Sequence, residues 1–140
     1  MKRMNRGFTL IELLIVMVII GMLAALVGPR LFGQLEGSKH KAAKAQIEMM
    51  STALDAYRLD MNAYPLTDPG LKLLWEKPAS DPNASAIWRG PYLRKAVPVD
   101  PWGNPYQYRS PGDKGEFDLY SFGRDGREGG DGEDADIVSW

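Results

Sequence analysis

The chain has 140 residues, about one domain's worth, and 17 Lys and Arg against 18 Asp and Glu leave a formal net charge of −1. That balance lacks the basic excess of a nucleic-acid binder, so no nucleic-acid partner is expected. With no cysteine and a single histidine, His40, the chain cannot build a thiol nucleophile, a zinc–thiolate site, a disulfide framework or a site of several imidazoles.

The first seven residues, MKRMNRG, carry Lys2, Arg3 and Arg6. Residues 8–27, FTLIELLIVMVIIGMLAALV, carry one charge, Glu12. Twenty helical residues rise about 30 Å, the thickness of a bilayer's hydrocarbon core. The basic flank marks the cytoplasmic side, which puts everything after residue 28 across the membrane. A removable signal peptide is the competing reading. It calls for a shorter apolar run and a small-x-small cleavage site, which Leu23-Ala24-Ala25-Leu26 matches poorly.

Glu12 is the anomaly of this segment. An intramembrane carboxylate costs a few kcal/mol and normally has a partner, yet no basic residue lies between Gly7 and Arg30. The partner must come from outside the segment. A cut after Gly7 would create one, the α-amine of Phe8, which in a staggered array can meet Glu12 of a neighbouring copy. The alternative is Glu12 snorkelling to the near interface. Gly7-Phe8-Thr9-Leu10-Ile11-Glu12, behind a short basic leader and before an apolar run, resembles the class III signal of type IV pilins and type II secretion pseudopilins. The resemblance implies that a membrane prepilin peptidase cuts between Gly7 and Phe8 and N-methylates Phe8, and that Glu12 acts in assembly.

Gly28-Pro29 is expected to kink or loosen the helix. Beyond it Ala43, Ile47, Met50, Leu54, Tyr57 and Met61 recur at spacings of three and four, one apolar stripe suited to packing on the chain's own globular part. His40, among Lys39, Lys41 and Lys44, reads as a member of a solvated basic collar without chemistry. The helical pattern ends at Asn62-Ala63-Tyr64-Pro65, and nine of the ten prolines fall between 65 and 111, which predicts ordered loop with one short helix near Leu71–Lys77, with Leu71, Leu74 and Trp75 inward. Trp88, Tyr92, Trp102, Tyr106 and Tyr108 supply large apolar faces to this region; a sugar-binding platform is the sharper alternative use. Residues 105–109 and 117–122 alternate as strands around the turn-rich 110–115, and 137–140 offers a third strand.

Residues 123–136, GRDGREGGDGEDAD, hold six acids in fourteen positions, with glycines that let the backbone turn sharply. Hard oxygen donors on such a loop suit Ca²⁺. The spacing is not that of an EF-hand, and GGDGED matches only half of the nonapeptide calcium repeat, with Asp136 where that repeat is apolar. A solvated acidic loop is the simpler reading.

Gly90-Pro91-Tyr92-Leu93, Asp100-Pro101-Trp102-Gly103-Asn104-Pro105-Tyr106 and the segments Ser121–Gly126 and Ala135–Ile137 resemble the major pseudopilin of type II secretion over nearly the whole chain. The absence of cysteine fits that family rather than major type IV pilins with a C-terminal disulfide loop. The resemblance implies an α+β, type IV pilin-like fold: a long N-terminal helix, half transmembrane and half amphipathic, packed on a loop-rich region and a small three-stranded antiparallel sheet. The expected segments are a cleaved leader (1–7), a transmembrane and fibre-core helix (8–28), the helix's amphipathic half (29–61) and the globular part (62–140).

It further implies one structural calcium ion, held by Asp125, Asp134 and Asp136 and by the main-chain carbonyls of Phe122 and Arg124, with Asp131 or Glu133 substituting if the register shifts after Gly130. The implied role is structural, not enzymatic. Inner-membrane, single-pass subunits with periplasmic C-terminal parts homopolymerise into a periplasmic pseudopilus that drives folded exoproteins through an outer-membrane secretin. The implied partners are minor pseudopilins, the prepilin peptidase, an inner-membrane assembly platform and a cytoplasmic ATPase, since this chain has no nucleotide-binding loop. Competing functions are a pilin for adhesion or DNA uptake and, in another class, a membrane-anchored sugar-binding or hydrolytic domain, for which Asp100 and Asp118 are the candidate carboxylates.

Overall fold

A 52-residue helix, α1 (Leu10–Met61), dominates the chain in the computed structural model, which describes residues 7–140. The leader expected at 1–7 therefore lies, apart from Gly7, outside the described residues. The chain divides into two units, one ending at Glu36 and the other spanning Gly37–Trp140, and α1 contributes to both. Pro29 sits inside α1 without ending it. The helix assignment runs through Gly28-Pro29, since a proline removes one hydrogen bond from a ladder whose other turns remain intact.

Thr9 caps the start of α1: its Oγ1 accepts the Glu12 N–H at 3.3 Å, and its carbonyl accepts the Leu13 N–H at 3.2 Å. Thr9-x-x-Glu12 is thus a capping box in sequence, with an acid at the positive end of the helix. In this first unit every large apolar side chain from Phe8 to Leu35 is exposed.

The second unit holds the core. Ala43, Ile47, Met50, Ala53, Leu54 and Tyr57 form the buried face of α1, the expected stripe plus Ala53, while Met61 packs at its edge. Against this face lie Leu74, Tyr106, Leu119 and Ile137. Full burial of Ile47, Met50, Leu54, Leu74 and Leu119 contributes about 1.5–3 kcal/mol apiece. The helix stops where Asn62 takes a left-handed conformation (φ 58°), which Asn tolerates better than most residues.

The expected helix at 71–77 is a 3₁₀ turn, Gly70–Leu74. Leu74 is fully buried, with Leu71 and Trp75 partly so. A second helix, α2 (Pro82–Ile87), was not expected. Asp81 caps it, accepting the N–H groups of Asn83 (2.9 Å) and Ala84 (3.2 Å), with Pro82 at the first helical position. The many prolines mark this stretch as loop, although Asp81-Pro82 is itself a helix-start signal.

Three short strands, β1 (Gln107–Arg109), β2 (Asp118–Ser121) and β3 (Ile137–Val138), form an antiparallel sheet in the order β1-β2-β3. Tyr108 pairs with Leu119, and Ser121 with Ile137. Pairing continues past β3: the Ser139 N–H donates to the Leu119 carbonyl at 2.9 Å. Asp118, 4% exposed at the start of β2, accepts the N–H groups of Asp113 and Lys114 and pins the hairpin loop. The aromatics pack edge-to-face on one another, as in Tyr57–Tyr92 and Trp88–Tyr92, with Trp88 Nε1 donating to the Leu73 carbonyl.

Candidate functional site

Two features stand apart from ordinary core packing, one in each unit. The first is the start of α1. Phe8 is 83% exposed, followed by an apolar surface none of which is buried, on a helix long and apolar enough to cross a membrane. Glu12 is the only charge on that surface before Arg30. Its backbone is committed to the Thr9 cap, which leaves the role of its carboxylate to be settled by whatever covers the helix.

The second is the acidic loop between β2 and β3. Its entry is anchored by Asp100, which is 3% exposed. Asp100 Oδ1 accepts the N–H groups of Trp102 (3.1 Å) and Asn104 (2.8 Å), and Oδ2 accepts the Ser121 hydroxyl at 2.6 Å. The Ser121 Oγ in turn accepts the Gly123 N–H, and Asn104 Nδ2 donates to the Gly123 carbonyl. The turn at 100–104 and the first residue of the loop are thus one hydrogen-bonded unit. Tyr106 lies beside it, its hydroxyl bonded to Gln46 Oε1. Burial, with a smaller contribution from the Asp100 charge, pushes the Tyr106 phenol up to about 12. Asp100 and Asp118, candidates for paired catalytic carboxylates, are spent instead on hydroxyl and backbone donors.

Within the loop, Gly123 and Gly130 both take left-handed backbone (φ 69° and 90°). A Cβ at Gly123 would stand 2.7 Å from the Ala135 carbonyl oxygen, and one at Gly130 would stand 2.6 Å from that of Asp134. Only glycine allows the two runs of the loop to close on each other this tightly.

The structure places the expected ligands as follows. Asp125 is exposed and closes a turn by accepting the Arg127 N–H at 3.1 Å. Asp134 faces the Arg124 guanidinium, with Nε–Oδ1 at 2.8 Å and Nη2–Oδ2 at 3.2 Å, and Glu133 binds Nη1 of the same group. Asp136 Oδ2 accepts the Gly129 N–H at 2.9 Å, while its Oδ1 is buried without a hydrogen-bond partner. Phe122, whose carbonyl was the other expected donor, stacks edge-on against Tyr120. Among the described residues no three carboxylates or imidazoles gather into a metal-holding group. The orphaned Asp136 oxygen and the glycine-lined closure suit a hard cation such as Ca²⁺, whereas Asp125 is engaged in its own turn and Asp134 is held by a cation of the chain's own.

His40 corrects the reading of a solvated collar. Its Nε2 lies 3.0 Å from the Glu133 carbonyl, and its ring stacks edge-on with Trp102 at 5.0 Å. The sole histidine therefore ties α1 to the loop. Nothing local in Lys39-His40-Lys41 signals a contact 93 residues away.

The family described as type II secretion system, protein G, matches residues 30–140, and the prokaryotic N-terminal methylation motif matches residues 2–28. The chain is 51% identical over 139 residues to a type II secretion system core protein G of Pseudomonas aeruginosa, covering 99% of this chain and 97% of that one. It is 46% identical over 142 residues to the core protein G of Vibrio cholerae, covering 100% and 96%. The crystal structure of the major pseudopilin from the type 2 secretion system of enterohaemorrhagic Escherichia coli superposes with a TM-score of 0.62 at 35% identity, covering 80% of this chain and 95% of that one.

Proposed function

We infer what this chain does from one premise: it belongs to the type II secretion system protein G family and has the fold of a major pseudopilin, a structural subunit. Among the described residues, one N-terminal apolar helix compatible with membrane anchoring agrees with that membership. The finer reading is that leader removal after Gly7 exposes Phe8 for N-methylation. The subunits wait in the inner membrane with their second unit in the periplasm, then stack into a pseudopilus that pushes folded exoproteins through a secretin. Minor pseudopilins, an assembly platform, the prepilin peptidase and a cytoplasmic ATPase complete this picture, in which the chain itself catalyses nothing.

The observation that carries it is the uncovered helix surface from Phe8 to Leu35. A soluble monomer does not keep a contiguous apolar face of that size in water. A bilayer covers it before assembly, and copies of the same helix cover it afterwards. Co-expression of the full chain with a prepilin peptidase should give homopolymeric fibres by electron microscopy and an intact mass beginning at methylated Phe8. A monomer that retains residues 1–7 would overturn the reading.

The same proposal includes one structural calcium ion in the acidic loop. Asp136, through its orphaned oxygen, would hold it with Asp125, Asp134 and the carbonyls of Phe122 and Arg124. The ion supplies only charge and cross-linking. Bound there, it would offset the loop's carboxylates and staple a small core that has no disulfide. At 100 times its dissociation constant, a ligand stabilises the folded state by about 2.7 kcal/mol. Calcium removal from the detergent-solubilised chain should therefore lower its Tm by about 10 °C, and magnesium should restore it poorly. An unchanged Tm on chelation would return the loop to a solvated acidic segment.

A further inference from the structure

We propose that the Arg124 side chain is a built-in counter-ion for the acidic loop: it holds Asp134 and Glu133 when the loop carries no metal and must let go of Asp134 for calcium to bind, so that it sets the calcium concentration at which the loop loads. This rests on the calcium reading above and adds to it a residue of opposite effect.

The geometry is that of a fork closed on an anion. Nε and Nη2 of Arg124 take the two oxygens of Asp134 at 2.8 and 3.2 Å, and Nη1 takes the neighbouring Glu133. A guanidinium is planar and always charged, and its bidentate grip matches a carboxylate in a way that an ammonium cannot. Between residues 123 and 136 six acids face two arginines, so the loop carries a net −4 that must be offset for its backbone runs to close. Arg124 supplies that offset from within, at the carboxylate expected to serve the ion.

The same position makes it a competitor. Calcium requires six to eight oxygen ligands and lone pairs directed at it, and a guanidinium seated on Asp134 both occupies those lone pairs and repels a divalent cation. The two cannot share the carboxylate on equal terms. The side chains of Arg124, Glu133 and Asp134 are 47%, 42% and 34% exposed, so the guanidinium can swing into water without breaking the core. Apparent affinity is the intrinsic affinity reduced by the fraction of molecules in which the loop is open to the ion. The main-chain role of residue 124 is separate: its carbonyl remains whatever side chain the position bears.

The test is calorimetric calcium titration of the full chain in detergent micelles, together with thermal unfolding in chelator, for the native protein, Arg124→Gln and Arg124→Lys. Arg124→Gln should bind calcium about three- to tenfold more tightly, the range for one to two partly exposed ion pairs, and should melt lower in chelator. Arg124→Lys, which keeps the charge without the fork, should fall between. In the native chain the Nε–H signal of Arg124 in nitrogen-15 spectra should lose its protection from exchange as calcium is added. Arg127→Gln removes the same charge from the same loop and should change affinity less. Equal or weaker calcium binding by Arg124→Gln, or an equal gain from Arg127→Gln, would overturn the counter-ion role while leaving the calcium site standing. Failure of the native chain and of every variant to bind calcium would instead remove the calcium reading, and this proposal with it.

Discussion

Glu12→Ala should be inserted and cleaved like the native chain, yet its fibre yield should fall at least tenfold. The variant keeps the helix start, because the bond to Thr9 Oγ1 comes from the backbone N–H of residue 12, which alanine retains. It loses only the carboxylate near the positive end of the helix, a contribution of about 0.3–1 kcal/mol. In the fibre the loss is larger. On the proposed processing, cleavage after Gly7 would leave a cationic amine on Phe8 at the edge of an apolar surface whose sole acid is Glu12. Removing one partner of a buried pair costs about 3–5 kcal/mol, and each 1.4 kcal/mol is about tenfold in an equilibrium. Glu12→Gln, which keeps the volume, should fail in the same way. Thr9→Ala, which removes the cap at a cost of about 1 kcal/mol, should still assemble. Fibres are counted by electron microscopy against membrane-inserted, cleaved protein, and normal yield from Glu12→Ala would rule out the pairing role.

The parts of this fold that were legible share one property: a periodic or local signal that burial later acted upon. The stripe from Ala43 to Tyr57 follows the 3.6-residue period, and it is the buried face of α1. The alternation at 105–109 and 117–122 predicted β1 and β2, trimmed at their ends where Pro105 lacks a donor and Phe122 leads into the loop. The strand expected at 137–140 holds for two residues, with one further ladder bond, before Trp140 turns to stack on Tyr120. Two helix starts are local signals of the same kind. Asp81-Pro82 and Thr9-x-x-Glu12 are both helix-start chemistry, the first set in a proline-rich neighbourhood and the second at an anomalous intramembrane charge.

The candidate site was legible as composition and not as wiring. Six acids and five glycines in 123–136 mark a charged, sharply turning loop, the composition on which the calcium expectation rests. Which carboxylates Arg124 takes depends on how the backbone closes, and that is fixed by the positive φ of Gly123 and Gly130 and by contacts from distant elements. His40 on the Glu133 carbonyl and Asn104 on the Gly123 carbonyl reach the loop from 93 and 19 residues away, and neither leaves a trace in local pattern. In the sequence Arg124 enters the expected ligand set only through its carbonyl. Its side chain reaches Asp134 and Glu133 only once the fold has closed the loop.

Asp100→Ala should be the most destabilising single change in the turn that supports the loop, by about 3–5 kcal/mol, the scale of breaking a buried charged network. Three donors converge on this carboxylate: the N–H groups of Trp102 and Asn104 and the hydroxyl of Ser121. Alanine strands all three, at about 1–3 kcal/mol for each buried donor left unsatisfied, moderated where water can enter. Asn at position 100 keeps one oxygen for the two N–H groups and offers its amide to the Ser121 oxygen, so Asp100→Asn should cost less, about 1–2 kcal/mol. For a unit of this size the alanine variant should melt more than 10 °C below the native chain, measured on detergent-solubilised protein in chelator to exclude any contribution from metal. Ser121→Ala alone should cost less than Asp100→Ala, and the double variant should cost less than the two singles added, since they break the same bond. Tyr106 gives a second readout. Part of its upward shift comes from the Asp100 charge, so its phenol should ionise at lower pH in Asp100→Asn, followed by the ultraviolet absorbance of phenolate. Additive losses in the cycle, with Tyr106 titrating unchanged, would show that Asp100 acts on neither neighbour.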